Sequence, residues 1–293
     1  MARAWPPDGP PRDVLAQVHG WLSDASALEF VPVPLRASDG LTLHERRGRL
    51  WEVGPWLEGQ AEARRPPPIE RVRAAHAGLA AFHLRLAHHA TSGPSPGVRA
   101  RLDEVERLQR GGFATIGRVL AGAVADRPSE LARRWHAVAT ELAPGVLDRL
   151  RRAAGLTVPR QPCLRDARPE HFLFQGNRLT GLVDFGAMAD DSVAADLARL
   201  NAEWLEREPA LRDAALEAYV AIRPLDPSEL ALIPVLEDAS SLLIGGHWVR
   251  WHFLERRPFD DPSAVSLGLE KGLERTLALA CPEGRALPGS RGA

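Results

Sequence analysis

The chain has 293 residues, 45% of them hydrophobic, and a formal net charge of −1. This balance excludes the basic footprint of a nucleic-acid-binding protein and a polybasic membrane patch. Its two cysteines, Cys163 and Cys281, lack metal-ligand spacing, and the chain does not begin with a basic-then-apolar leader, so we expect a cytoplasmic location. No unbroken apolar run approaches the roughly 18 residues that span a bilayer, so we expect no membrane partner. The oligomeric state is unknown at this stage.

The first 57 residues predict a small α+β region. A short strand at the start is ended by two prolines, which cannot continue a hydrogen-bonded ladder. Apolar residues at helical spacing predict a helix over 12–22, and the segment 42–57 predicts two strands about a turn at Arg47 and Gly48. We therefore predict that residues 1–57 form a partial N-terminal lobe with a hinge.

The region 58–281, which contains a proline-rich joint at 65–68, is predicted to be mainly helical. The helix that follows the joint carries His76 and His83 on its apolar face, and we interpret both as buried and hydrogen-bonded rather than as ligands. Further helices are predicted over 98–120, 129–154, 193–206, 211–222, 227–254 and 264–280.

Two features are predicted near the end of the chain. The pair Gly245 and Gly246 predicts a bend in the long helix over 227–254. The tail over 282–293 is rich in Gly, Pro and Arg and is predicted to be disordered.

One β patch interrupts the helical region and carries a carboxylate at each end. Strands over 172–174 and 179–183 are joined by a Gly-Asn turn, with Asp166 before them and Asp184 after them. The order and spacing are those of a kinase catalytic loop and its metal-binding loop, the second followed by Phe185. Phosphoryl transfer needs an aimed acceptor hydroxyl and cations on the triphosphate. We therefore predict Asp166 as the catalytic base and Asp184 as a ligand of Mg²⁺.

These motifs resemble the aminoglycoside phosphotransferase and choline kinase group of small-molecule kinases, which are similar in fold to protein kinases. Where that group has His-Gly-Asp followed by Pro and Asn, this chain has Leu164, Arg165 and Asp166, then Pro169 and His171. The resemblance implies an α+β, protein kinase-like two-lobe fold. It has a truncated small β lobe and a large, mainly helical C-terminal lobe that contains the catalytic β-hairpin.

The resemblance also implies ATP and Mg²⁺ as cofactors and a small-molecule hydroxyl acceptor. The segment 50–59 is similar to the family's hinge, which offers backbone groups to adenine. The nucleotide-binding residues expected there are Val53, Gly54 and Trp56. The acceptor-side residues expected are Arg168, Trp248, Trp251 and Glu255.

The chain departs from the family pattern in its N-terminal cation. No Gly-rich hairpin precedes the hinge, and the only lysine, Lys271, stands near the other end of the chain. Arg3 is therefore the one candidate by position for the cation that holds the phosphates, with Asp13 as the nearest carboxylate to pair with it. A start codon misplaced inside the gene is one explanation of the missing hairpin, and real degeneration is the other.

A second departure concerns the metal site. His171 stands where the family has a metal-binding Asn, and an imidazole is a poorer Mg²⁺ ligand than oxygen. We therefore count His171 with Asp184 as a metal residue, with three alternatives for the second ion: it is lost, it is held through water, or it is a softer ion.

Three hypotheses about function remain open. The first is an ATP-dependent phosphotransferase that transfers the γ-phosphate to a hydroxyl of a small molecule. The alternative is a pseudokinase or a nucleotide- or metabolite-binding module without turnover, and whether the chain is an enzyme is therefore left undecided. The third is a metal-dependent hydrolase with Asp166, His171 and Asp184 as ligands. The acceptor is not indicated, because the clustered carboxylates that suit a polycationic aminoglycoside are only hinted at.

Overall fold

The architecture was obtained as a computed structural model, which describes residues 1–62, 65–205, 208–261 and 263–280. The tail predicted to be disordered, 282–293, lies outside the described residues. The chain divides into two compact units. The first unit combines Met1–Gly93 with Val158–Glu229, and the second combines Pro94–Thr157 with Leu230–Ala293. The predicted division into lobes at residue 57 is a different division and remains a prediction.

The first unit begins with a three-stranded antiparallel sheet in the order β1-β3-β2. Its strands are β1 (Ala2–Ala4), β2 (His44–Arg46) and β3 (Arg49–Val53). The predicted turn between β2 and β3 is present, and both of its residues, Arg47 and Gly48, have positive φ, which a tight hairpin turn requires.

The helix predicted over 12–22 is α1 (Arg12–Asp24). Its apolar face buries Leu15, Val18 and Leu22, and Leu15 packs with Trp5 and Leu43 in a small hydrophobic cluster.

The first unit contains two further small sheets, and the predicted hairpin is part of one of them. The first has the order β4-β7-β8, made by β4 (Gln60–Ala61), β7 (Phe172–Gln175) and β8 (Arg178–Leu182). The second has the order β5-β6-β9, made by β5 (Thr91–Gly93), β6 (Val158–Cys163) and β9 (Ala189–Asp191). The hairpin β7–β8 was predicted, whereas β4, β5, β6 and β9 were not.

Three helices complete the first unit: α2 (Ile69–Arg85), α6 (Ala194–Trp204) and α7 (Pro209–Val220). Helix α2 lies close against β8, since a Cβ atom at Gly78 would stand 2.2 Å from the Leu179 side chain. His76 and His83 on this helix are fully buried and hydrogen-bonded, as predicted.

The second unit is helical. Its helices are α3 (Pro96–Arg107), α4 (Phe113–Ala121), α5 (Arg127–Ala154), α8 (Pro227–Val249, whose first three residues belong to the first unit) and α9 (Ser263–Leu277). The single helix predicted over 98–120 is in fact α3 and α4, separated by a π-helical turn in which Gly111 has a φ of 149°. A residue without a Cβ adopts that φ readily, so Gly111 permits the break.

Helix α8 is continuous through Gly245 and Gly246, where a bend was predicted. A Cβ at Gly245 would stand 2.4 Å from the Trp135 indole, and one at Gly272 would stand 2.7 Å from the Gly245 backbone. These glycines therefore allow close helix packing. Within the described residues, one helix, Pro227–Leu254, is long and apolar enough by composition to cross a membrane; it is 39% buried inside the protein.

Candidate active site

A buried carboxylate holds the loop that carries Asp166. Asp196, fully buried on α6, accepts hydrogen bonds from the backbone N–H groups of Leu164 at 2.7 Å and Arg165 at 2.6 Å. Arg165 has a φ of 63°, which an L-residue adopts at a cost, so these two bonds fix an otherwise unfavourable backbone. Asp196 lies in the first turn of α6, and both of its carboxylate oxygens bond this loop, so it acts as a loop brace.

Asp196 is itself oriented by a buried histidine. His83 Nε2 donates to an Asp196 oxygen at 3.0 Å, and the Tyr219 hydroxyl donates to His83 Nδ1 at 2.7 Å, which assigns the neutral tautomer. Burial lowers the pKa of His83 although its hydrogen bond with Asp196 acts in the opposite direction, and burial raises the pKa of Tyr219. The imidazole of this brace is therefore neutral.

The Asp166 carboxylate is paired with an arginine that the sequence did not single out. Arg199 Nε and Nη2 both lie 3.2 Å from the same Asp166 oxygen. Arg199 also contacts Glu203 at 2.8 Å, and Glu203 lies 3.6 Å from Arg168, which pairs with Glu170 at 2.5 Å. These five residues form a row of alternating charges, which we call the charge row.

The second carboxylate loop is tied to the first through His171. The ring Nδ1 of His171 donates to the backbone carbonyl of Asp166 at 2.9 Å, and its Nε2 lies 3.6 Å from an Asp184 oxygen. The His171 carbonyl accepts from the Val183 N–H at 3.0 Å, and Asp184 has a φ of 64°. Because the Nδ1 hydrogen bond leaves the Nε2 lone pair of a neutral ring facing Asp184, these two side chains could hold one cation together.

Arg3 reaches this site from β1. Its guanidinium lies 3.5 Å from the other Asp184 oxygen and stacks 3.8 Å above the Trp5 ring. Trp5 in turn stands against Gly186, where an added Cβ would meet the indole at 2.9 Å. Arg3, which the sequence predicts as the N-terminal cation, thus lies close to the carboxylate of Asp184.

A cavity of about 380 Å³ lies next to this cluster and falls in the size range of small-ligand pockets. Its wall is mostly apolar and combines the three expected hinge residues with the Asp184 loop and with α1. The lining residues that matter here are Arg3, Val18, His19, Trp56, Leu173 and Asp184.

The hinge backbone is partly in use. The Gly54 N–H donates to the Met1 carbonyl at 2.9 Å, the Gly54 carbonyl accepts from the Met1 amino group at 2.7 Å, and the Val53 carbonyl accepts from the Leu35 N–H at 2.7 Å. By contrast, the Trp56 backbone makes no hydrogen bond to any residue that the structure describes. Trp56 is also 74% exposed.

A polar network inside the cavity wall was missed by the sequence analysis. Glu52, opposite Arg3 in the β1–β3 register, accepts from Trp5 Nε1 at 3.0 Å and lies 2.9 Å from His19 Nε2. Burial tends to raise the pKa of Glu52, but the hydrogen bonds from His19 and Trp5 and the charges of His19 and Arg3 outweigh it and lower this pKa. Asp13, the predicted partner of Arg3, is exposed on α1, whereas Arg3 pairs with Asp184 and has Glu52 opposite it in the sheet. Only the strand register shows that Arg3 and Glu52 stand opposite each other.

The other expected acceptor-side residues lie in the second unit. Trp248 stacks edge-on with Trp251 at 5.3 Å and presses against Gly268, while Glu255 pairs with Arg250 and Arg257. Their contacts are with one another and with their own unit, and a role in acceptor binding stays a prediction.

The fold is that of protein kinase-like small-molecule kinases. An aminoglycoside phosphotransferase from Alicyclobacillus acidocaldarius superposes with a TM-score of 0.66 at 17% identity, covering 94% of this chain and 83% of that one. A glucosamine kinase gives 0.59 at 17% identity, covering 96% and 73%. An amicoumacin kinase in complex with AMP-PNP and Ca²⁺ gives 0.61 at 13% identity, covering 91% and 79%. The predicted fold class is confirmed.

The sequence comparison identifies the family. The model of the APH phosphotransferase enzyme family matches residues 3–233, and the chain belongs to this family. Among individual proteins it is 29% identical to a homoserine kinase of Allorhizobium ampelinum over 227 residues, which are 72% of this chain and 61% of that one. A homoserine kinase of Gluconobacter oxydans is 29% identical over 267 residues, with 78% and 80% covered. The chain thus spans about three fifths of the length of several relatives that it matches.

Proposed function

We propose that this protein transfers the γ-phosphate of ATP to a hydroxyl group of a small molecule. The observation that carries the proposal is the position of His171, which joins the backbone of Asp166 to the carboxylate of Asp184 beside the cavity. Family membership supports the same chemistry, since a kinase of this type needs both carboxylates at one site.

Asp166 is the base in this proposal. Arg199 fixes the direction of the Asp166 carboxylate, while the backbone bonds to Asp196 hold the loop. The acceptor oxygen forms a bond to the γ-phosphorus as the bond to the ADP oxygen breaks, and the hydroxyl proton passes to Asp166. Positioning of the acceptor contributes more than proton transfer, because the transition state of this reaction is loose.

Asp184 and His171 fit a divalent cation, which in such kinases bridges phosphate oxygens and neutralises their charge. The Asp184 side chain is 47% exposed, and its oxygen is 3.6 Å from His171 Nε2, close to the ~3 Å between adjacent ligands of an ion bound at about 2.1 Å. The carboxylate suits Mg²⁺, and the imidazole favours Mn²⁺ or a softer ion. Arg3, on the cavity side of Asp184, is proposed to supply the cation for the phosphates in place of a lysine.

The acceptor is proposed to be a zwitterionic amino alcohol, with homoserine as the first compound to test. Two relatives that the chain matches over most of its length are homoserine kinases. The charge row that begins at Asp166 contains two arginines and three carboxylates in alternation, which offers partners to both an ammonium and a carboxylate. A polycationic aminoglycoside would need a larger excess of negative charge than the single surplus carboxylate of this row.

Nucleotide binding without turnover is the second candidate function. One observation favours it: both motif carboxylates are already paired with arginine, Asp166 with Arg199 and Asp184 with Arg3. In a binding module such pairs would satisfy the carboxylates permanently.

The two candidates separate in one experiment. The purified protein is given ATP with Mg²⁺ or Mn²⁺ and homoserine, choline, glucosamine or kanamycin, and ADP formation is followed with ATP binding measured by calorimetry. Acceptor-dependent ADP formation that Asp166→Asn abolishes, with ATP binding retained, supports the transferase. The surface variant Asp39→Asn serves as the matched control and retains activity. Binding without turnover supports the second candidate, and no binding overturns both.

A further inference from the structure

We infer that Asp24, His88 and His89 form a binding site for one divalent transition-metal ion, of which Zn²⁺ is the representative, separate from the active site proposed above. One Asp24 oxygen lies 2.8 Å from His89 Nε2 and 3.5 Å from His88 Nε2. All three ligand atoms lie within 4.8 Å of one another. Adjacent ligands of a tetrahedral Zn²⁺ bound at about 2.0 Å stand roughly 3.3 Å apart, so small side-chain movements bring all three onto one ion.

The local fold brings the three ligands together. Helix α1 ends at Asp24, and α2 ends at Arg85 and continues through a 3-10 turn, Ala87–His89. The last turn of α1 contains no basic residue. Both helices end near the Asp24 carboxylate, and the negative dipole end of α1 favours a cation there, whereas the last turn of α2 already carries Arg85.

The ring of His88 is held in the tautomer that a metal ion needs. Its Nδ1 donates to the Arg85 carbonyl at 3.0 Å, which leaves the Nε2 lone pair facing Asp24. Metal-bound histidines typically make this kind of hydrogen bond with the second ring nitrogen. The orientation of His88 is thus set before an ion arrives.

The site is accessible. The side chains of Asp24, His88 and His89 are 40%, 58% and 34% exposed, so an ion can enter and keep water in its remaining coordination positions. A simple surface ion pair needs only one imidazole. Here two imidazoles, with ring centroids 4.0 Å apart, direct Nε2 at the same carboxylate oxygen, and that arrangement suits imidazole-preferring ions such as Zn²⁺.

A bound ion would join the C-terminal end of α1 to that of α2. Because α1 also supplies Leu15, Val18 and His19 to the cavity wall, the ion would restrain this wall from a position outside the cavity. The site needs neither nucleotide nor acceptor, so it stands whether or not the proposed activity is correct.

The test uses tag-free, chelator-treated protein carrying Asp184→Asn, which disables the proposed active-site metal position. Titration with Co²⁺ is followed by visible absorption, and titration with Zn²⁺ by calorimetry. We expect one equivalent to bind and to raise the melting temperature. Asp24→Asn, His88→Gln and His89→Gln should each weaken binding by about tenfold to a hundredfold.

The matched control is His44→Gln, which removes the single histidine of another surface pair, 3.7 Å from Asp39. It should bind Zn²⁺ with unchanged affinity. The inference is overturned if the protein binds neither ion with a Kd below about 100 μM, or if His88→Gln and His89→Gln bind as tightly as the parent.

Discussion

Nε2 of His171 lies 3.6 Å from an Asp184 oxygen while Nδ1 of the same ring is bonded to the backbone carbonyl of Asp166. The imidazole therefore occupies the position between the two motif loops with its Nε2 directed at Asp184. If His171 ligates a metal ion as proposed, its nitrogen would change which ions the site prefers, because Mg²⁺ favours oxygen more strongly than Mn²⁺ does.

We predict that the phosphotransferase rate of the wild-type protein is higher with Mn²⁺ than with Mg²⁺, and that His171→Asn shifts the ratio of the two rates several-fold toward Mg²⁺. Asn supplies an amide oxygen in place of the imidazole nitrogen. The measurement is kcat at saturating ATP with each ion. Asp184→Asn should lower both rates, and an unchanged ratio in His171→Asn would show that the ring does not contact the ion.

Arg199 is predicted to act as a positioning residue. Both of its contacting nitrogens reach one Asp166 oxygen, so its loss lets the carboxylate rotate. Arg199→Gln should lower kcat by about tenfold to a hundredfold with little change in the KM for ATP, and Arg199→Lys should restore part of the loss. Arg73→Gln, which removes an exposed arginine paired with Glu217, is the control. A change confined to KM would contradict the positioning role.

The contact between Gly186 and Trp5 is predicted to be essential for the cavity. A Cβ at position 186 would lie 2.9 Å from the indole, so Gly186→Ala displaces Trp5 or the Asp184 loop. We expect a loss of about 1–3 kcal/mol in unfolding free energy and weaker ATP binding. The double variant with Trp5→Leu should recover part of the ATP affinity, because the smaller side chain makes room for the methyl group. Strictly additive effects in this double-mutant cycle would argue against the contact.

Stability is predicted to fall as the pH is lowered from 7 toward 5. Burial lowers the pKa of His76 and of His83, so the unfolded chain takes up protons near the ordinary histidine pKa of 6.5 while the folded chain does not. The stabilising contribution is thus fully present above pH 6.5 and is lost as the pH falls toward the folded-state values. Each histidine contributes a slope of up to about 1.4 kcal/mol per pH unit.

Denaturant titrations at several pH values measure that slope. His83→Gln should remove about half of it, since the glutamine amide does not titrate. A slope that is the same in this variant as in the wild type would mean that His83 is not neutral in the folded protein.

Much of the fold was predictable because it is local. The hairpin β7–β8 and α2 follow from alternation, turn residues and helical spacing within short segments. The short strands β4, β5, β6 and β9 were not predictable, because each has two to six residues and is defined by its pairing with a strand distant in sequence. The break at Gly111 was missed because periodicity continues on both sides of it.

By itself the sequence determined the kinase-like pattern of Asp166 and Asp184 and the unusual imidazole at position 171, and it led to the prediction that Arg3 is the N-terminal cation. These depend on residue type and on spacing within the chain. Only the tertiary structure decided that Arg199 pairs with Asp166, that Glu52 rather than Asp13 lies beside Arg3, and that Asp24 meets His88 and His89. Each of these contacts joins side chains from separate elements, and no local periodicity encodes the strand register or helix packing that brings them together.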